Sequence, residues 1–168
     1  MQYLINGTTF NTETENAIKN ESITQIKEGE VSEYLIKINF DGEVAPKQYR
    51  ISFRKKLVDE FGFFSSKSGP DKKISPNWIK REEESRTASG MPFFTLFSKG
   101  DKNRMTVSIL DASTPSKLRV GVTEESGEIE VYIELFTGLC SKISEYETIL
   151  RIDKRDIDFS SAVKDVRL

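Results

Sequence analysis

The sequence predicts a mainly β protein: one antiparallel β-sandwich domain closed by a short C-terminal helix. Apolar and polar residues alternate in six separate segments. Turn residues stand between those segments. The chain of 168 residues is long enough for one domain with a single core. One-sided alternation joined by tight turns implies antiparallel sheets that each bury one face, and two such faces close on each other.

Taken in chain order, Tyr34, Ile36, Ile38 and Phe40 form the first apolar face, ended by Asp41-Gly42. Tyr49, Ile51 and Phe53 alternate with Arg50, Ser52 and Arg54. From Ser65 to Gly90 the chain is rich in Ser, Lys, Glu, Gly and Pro, broken by Ile74, Trp78 and Ile79. It reads as a long loop, of a kind that is usually functional or disordered, with Lys80 to Arg86 a solvated charge run. Lys99-Gly100-Asp101-Lys102-Asn103 reads as a hairpin turn before a face made by Met105, Val107 and Ile109. Leu118, Val120 and Val122 lead through Glu125-Ser126-Gly127, a second hairpin signal, into residues 128–135. There Ile129, Val131, Ile133 and Leu135 face one way, and Glu128, Glu130, Tyr132 and Glu134 face water. Tyr146, Thr148, Leu150 and Ile152 make the last face, interrupted by Ile149. Asp158 is a candidate N-cap for a helix that sets Phe159, Ala162, Val163 and Val166 at helical spacing. An apolar helix face at this place predicts a neighbour that covers it. The chain divides into a sandwich over 1–157 and, over 158–168, the start of a helical linker to a further domain.

Composition narrows the chemistry. The chain has no histidine, which removes Ser-His-Asp and Cys-His hydrolase sites and histidine-based zinc sites from it. The single cysteine, Cys140, closes no internal disulfide and builds no thiolate cluster. A free thiol points to a reducing, cytoplasmic compartment. The first residues, Met1 to Asn6, lack a basic stretch and a long apolar run, so no signal peptide is expected. Asn6-Gly7-Thr8 and Asn20-Glu21-Ser22 then read as chance matches to the glycosylation sequon. A net charge of -2 without a basic patch argues against nucleic acid and membrane surfaces as partners. No apolar stretch reaches the ~20 residues of a membrane span. Glu82-Glu83-Glu84 and Glu124-Glu125 read as exposed ions, as do the glutamates of residues 128–135. No metal or cofactor motif is present.

Aromatic residues carry the functional signal. Phe61, Phe63 and Phe64 precede the long segment, Trp78 lies within it, and Phe93, Phe94 and Phe97 follow it. Most of these phenylalanines read as core. Trp78, among Ser75, Pro76 and Asn77, fits no strand pattern and either anchors the loop or faces a partner such as a sugar ring.

Residues 85–92 (Ser-Arg-Thr-Ala-Ser-Gly-Met-Pro), Asn103-Arg104-Met105-Thr106 and Leu110-Asp111-Ala112 together resemble a run in the N-terminal domain of α-galactosidases of glycoside hydrolase family 36 and relatives. Gly127 to Phe136, Glu145-Tyr146-Glu147-Thr148 and Arg151-Ile152-Asp153 resemble its later part, and Asp165-Val166-Arg167 its junction with the catalytic barrel. The resemblance implies a sandwich of the galactose-mutarotase-like type and a parent enzyme that cleaves α-galactosides with retention. Its two carboxylates would lie in the barrel, outside this chain. It further implies packing on that barrel, a role in homo-oligomer assembly and loops that reach the sugar-binding rim. Trp78 after Pro76-Asn77 is similar to a Pro-Asp-Trp element of the family, and Asp111 to the aspartate of Ser-Asp-Ala, with Leu110 in place of the serine. Phe64 stands where relatives often have tryptophan. Phe64, Trp78 and Asp111 are thus the implied rim residues, and catalytic residues are expected to be absent. The alternative readings are a free-standing carbohydrate-binding module and a protein-interaction sandwich.

Overall fold

A computed structural model of the chain describes residues 1–56, 61–65, 72–74, 82–86, 92–111, 114–123, 127–139 and 141–166. Within them the strands are β1 (Gln2–Ile5), β2 (Thr8–Thr14), β3 (Ile18–Lys27), β4 (Val31–Val44), β5 (Tyr49–Lys56), β6 (Phe61–Ser65), β7 (Lys72–Ile74), β8 (Glu82–Arg86), β9 (Phe93–Ser98), β10 (Lys102–Ile109), β11 (Ser116–Val122), β12 (Glu128–Leu135) and β13 (Ile143–Asp153), followed by helix α1 (Phe159–Lys164). They form two antiparallel sheets. One has six strands in the order β1-β2-β5-β12-β11-β8, the other seven in the order β3-β4-β13-β10-β9-β6-β7. The protein is an antiparallel β-sandwich.

The six alternating faces read from the sequence point inward at their described side chains, which do not include Val122. Ile51, Ile129, Val131, Ile133, Leu135 and Leu118 of the six-stranded sheet, and Ile36, Ile38, Met105, Val107, Ile109 and Leu150 of the other, are fully buried in one cluster. Phe10 sits at the centre of an aromatic knot, edge-on to Tyr34 at 4.9 Å and to Phe53 at 5.6 Å. Such pairs add about 0.5–1.5 kcal/mol beyond area burial. Ile149 leaves the pattern because it lies on the opposite face of β13 from Thr148 and Leu150, where it is only half-buried.

Turn chemistry is partly as expected. β9 and β10 pair across Lys99-Gly100-Asp101, with Gly100 and Asp101 in the left-handed region at φ 74° and 57°. β11 and β12 form the second expected hairpin, with Gly127 at φ 77°. Asn6-Gly7, which matched a sequon, is the turn of the β1–β2 hairpin. Ile5 pairs with Thr8, and Asn6 and Gly7 have φ 45° and 82°, the two positive values a type I′ turn requires.

Three expectations need correction. Asp41-Gly42 does not end its strand. β4 continues to Val44, and its pairing with β13 shifts register between Ile143 and Glu145. The inward face is interrupted after Phe40, because residues 41–43 are exposed, and Val44 then packs against the core again. The segment 65–90 is not all loop. It contains β7, which edges the seven-stranded sheet beside β6, and β8, which edges the six-stranded sheet beside β11. The charge run at Glu82–Arg86 is therefore an edge strand, where charged residues discourage pairing with another chain. Trp78 and Cys140 lie outside the described residues.

The third correction concerns α1. Its apolar face is covered by the protein's own seven-stranded sheet: Ala162 and Val166 are buried, and Phe159 stacks on Phe97 of β9 at 4.3 Å. Asp158 occupies the N-cap position but makes no side-chain cap bond, and its carboxylate lies 3.8 Å from Lys102. The helix is placed by backbone instead. The Asn103 N–H donates to Ile157 and the Phe159 N–H to the Asp101 carbonyl, at 2.7 and 2.8 Å.

Val131 and Ile133 sit on the buried face of a central strand. Ile133→Asp places an unpaired carboxylate there, at a cost of several kcal/mol. The expected outcome is loss of the cooperative thermal transition by circular dichroism, and a retained transition would reverse the strand faces.

Candidate functional site

Two of the rim residues implied by the resemblance, Phe64 and Asp111, lie among the described residues. Phe64 is on the outer face of β6, half-buried, with its ring 5.9 Å from both Phe93 and Phe159. It belongs to the aromatic bed on which α1 rests. Gly62, two residues earlier on the same face, leaves the space that the Phe97 ring fills; a Cβ at this position would overlap that ring. Asp111 follows the end of β10 and accepts from the Tyr146 hydroxyl at 2.6 Å and the Thr114 N–H at 3.2 Å. Tyr146 packs edge-on against Phe136. Burial first, then the bond to Asp111 and its charge, push the Tyr146 phenol above its ordinary pKa. Phe64 thus contacts Phe93 and Phe159, and Asp111 contacts Tyr146 and Thr114. Trp78 is outside the described residues.

The outer face of the seven-stranded sheet carries a polar network beneath α1 that sequence reading did not foresee. Asn103, in the bulge of β10, accepts from Thr95 and Thr106 hydroxyls at 3.2 and 2.8 Å and donates to the carbonyls of Asp153 and Arg155 at 3.2 and 2.9 Å. The Asp153 carboxylate has no solvent exposure. Arg155 donates to it through Nε and Nη2, the latter at 2.6 Å, and the same Nη2 reaches Asp165 beyond the helix at 2.6 Å. These bonds to Arg155 are the main reason the Asp165 carboxyl is held below its ordinary value. One arginine thus clamps the end of α1 to a buried acid. Bidentate geometry suits this role, since it satisfies the carboxylate while fixing direction.

Two further acids are tied down elsewhere. Glu134, expected to be an exposed ion, is 3% exposed. It accepts from Arg119 and Gln48 and lies 3.8 Å from Arg50. Arg50 and Arg119 flank the Tyr132 ring at 5.3 and 5.1 Å, so the supposed wet face of β12 is roofed by cation–aromatic contacts. Glu21 of β3 links the two sheets. Its Oε1 accepts from Tyr3 and Thr12 at 3.2 and 2.9 Å, and its Oε2 from Tyr49 of β5. Desolvation, with the Glu21 charge second, lifts Tyr3 to about 12. Tyr49, more deeply buried, is also raised, by burial first and then by its bond to Glu21.

A cleft lies beside this link. It has a volume of about 640 Å³ and is bounded by Thr12, Ile18, Lys19 and Glu21 among others, and a second of about 380 Å³ by Glu15, Lys47, Gln48 and Arg50. Glu13 and Thr14 of β2 line both. The two clefts make a polar groove along β2, rich in carboxylate, hydroxyl and amide groups that can bond a hydroxylated ligand. Among the described residues no cluster of metal-ligating side chains occurs, and no helix is long and apolar enough to cross a membrane.

No family model, no curated protein and no solved structure matches this chain.

Two measurements test these placements. Gly62→Ala is expected to destabilise by about 1–3 kcal/mol through overpacking against Phe97, read by urea denaturation. Phe97→Ala in the same chain is expected to relieve part of that loss, and additive effects would contradict the close approach. The second concerns pH. Tyr3, Tyr49 and Tyr146 have raised values, so the unfolded chain releases these protons first. Their contribution is full below the ordinary phenol value of about 10 and is lost as pH rises above it. Stability measured from about pH 8 to 11 is expected to fall, and less steeply in Tyr49→Phe. An equal slope in the variant would contradict the Glu21–Tyr49 link.

Proposed function

We propose that this chain is a non-catalytic β-sandwich domain that acts by binding. The observation that supports this reading is the state of its shielded acids: Glu21, Asp111, Glu134 and Asp153 all accept from hydroxyl, guanidinium, amide or backbone donors of the same chain. A carboxylate committed to internal donors is poorly placed to act as nucleophile or general base. Following the sequence resemblance, the domain serves as the N-terminal part of a cytoplasmic glycoside hydrolase acting on α-galactosides. There it supports the barrel, contributes to the rim of the sugar cleft and assists oligomer assembly. A free-standing carbohydrate-binding or protein-interaction module is the second reading. It is favoured by the covered apolar face of α1, which needs no neighbour to bury Ala162 and Val166.

Titration calorimetry of galactose and melibiose into the chain separates the two. The accessory reading expects no saturable heat, and saturable heat reduced in a Glu13→Gln variant would favour a free module that uses the β2 groove. Hydrolysis of an aryl α-galactoside by the purified chain, at a rate proportional to its concentration, would overturn the non-catalytic reading itself.

A further inference from the structure

At the opposite end of β2 and β5 from the Glu21 link, the two sheets part around a small cavity of about 60 Å³. Tyr34, Phe53, Met105 and Ile152 line its apolar part. Thr8, Ser32, Lys55 and Lys154 supply the polar part. Lys55 is two residues beyond Phe53, so the pleat turns its side chain inward, and it pairs across the sheet with the fully buried Ile129. An inward lysine at the rim of a core is unusual, because ammonium groups leave water only when paired.

Neither Lys55 nor Lys154 makes a side-chain hydrogen bond or ion pair among the described residues. The acids nearby in sequence have other partners: Asp153 holds Arg155 and Arg151, and Glu33 holds Arg151. Arg54 also borders the cavity, but its guanidinium is bound to Glu128 and Glu130 on the outer face of β12. Desolvation lowers the pKa of Lys55, and the charge of Lys154 lowers it further. Thr8 has a hydroxyl free to donate, whereas Ser32 already donates to the Gly29 carbonyl at 3.0 Å.

We infer that this cavity is a binding site for a small oxyanion group, held by Lys55 and Lys154 with a bond from Thr8. Two cations that border one cavity, with no acid bonded to either among the described residues, are an arrangement that an anion completes. The volume suits a small group: one water needs about 10–15 Å³ of such space, so a cavity of about 60 Å³ can take a phosphate or a carboxylate group. Around the part-buried Lys55 the attraction is stronger than at a fully solvated lysine.

The test is thermal melting in sodium phosphate, sodium acetate and sodium chloride at matched ionic strength. In the unaltered chain, phosphate or acetate is expected to raise Tm saturably above chloride, on the order of 5 °C well above the Kd. Whichever anion gives the rise identifies the group. Lys55→Met removes the unpaired cation and is expected to melt at the same or a higher temperature in chloride, without the saturable rise. Phosphate also stabilises proteins non-specifically by exclusion from their surface, and that part is expected to persist in the variant without saturating. Should Lys55→Met fail to fold, Lys154→Met, at an exposed position, gives the same comparison with a weakened rise. No saturable rise with either anion, or an equal rise in the lysine variants, would overturn the site.

Discussion

Two apolar sheet faces that bury each other set the terms for every polar group in this protein. The pleat gives each strand one face for the core, and inward residues such as Ile51, Val131, Ile38 and Val107 are fully excluded from water. The other side of each strand must then be solvated or roofed. Both solutions occur. The six-stranded sheet roofs part of its outer face with Arg50, Tyr132 and Arg119 around Glu134, and the seven-stranded sheet roofs its own with α1.

The roofs explain how acids come to be buried here. A carboxylate under a helix or among arginine side chains is tolerated only when its oxygens are bonded, and removing one partner of such a pair costs about 3–5 kcal/mol. Asp153 meets this condition through Arg155, and Glu134 through Arg119 and Gln48. The same rule gives Lys55 its interest. It is the inward charge that the fold leaves without an internal partner among the described residues, in a cavity that joins both sheets.

Much of the fold was legible in the sequence, because period-two alternation reports burial directly. The described side chains of all six faces read in this way point inward. The order of strands was not legible. β12 lies between β5 and β11, and β13 between β4 and β10, and these neighbours are chosen by backbone hydrogen bonds that leave no mark on residue type. Asn6-Gly7 had a readable turn signal that its match to a sequon obscured. Glu134 could not be told from Glu130, since both stand on the outer face and only the crossing of Arg119 and Gln48 buries one of them. The groove along β2 and the Glu21 link were hidden for a similar reason: Tyr3, Thr12, Glu21 and Tyr49 come from four strands and two sheets. Phe64 and Asp111 were singled out by resemblance, and their contacts with Phe159 and Tyr146 are contacts no local pattern encodes.

Native-state amide hydrogen exchange, resolved by residue, tests the mutual burial of the two sheets most directly. The slowest amides are expected in the central strands of both sheets, β5 and β12 in one and β13 and β10 in the other, opening with the same free energy as global unfolding. Exchange of one sheet through a much lower opening than the other would mean that the sheets do not depend on each other, and would contradict the single shared core.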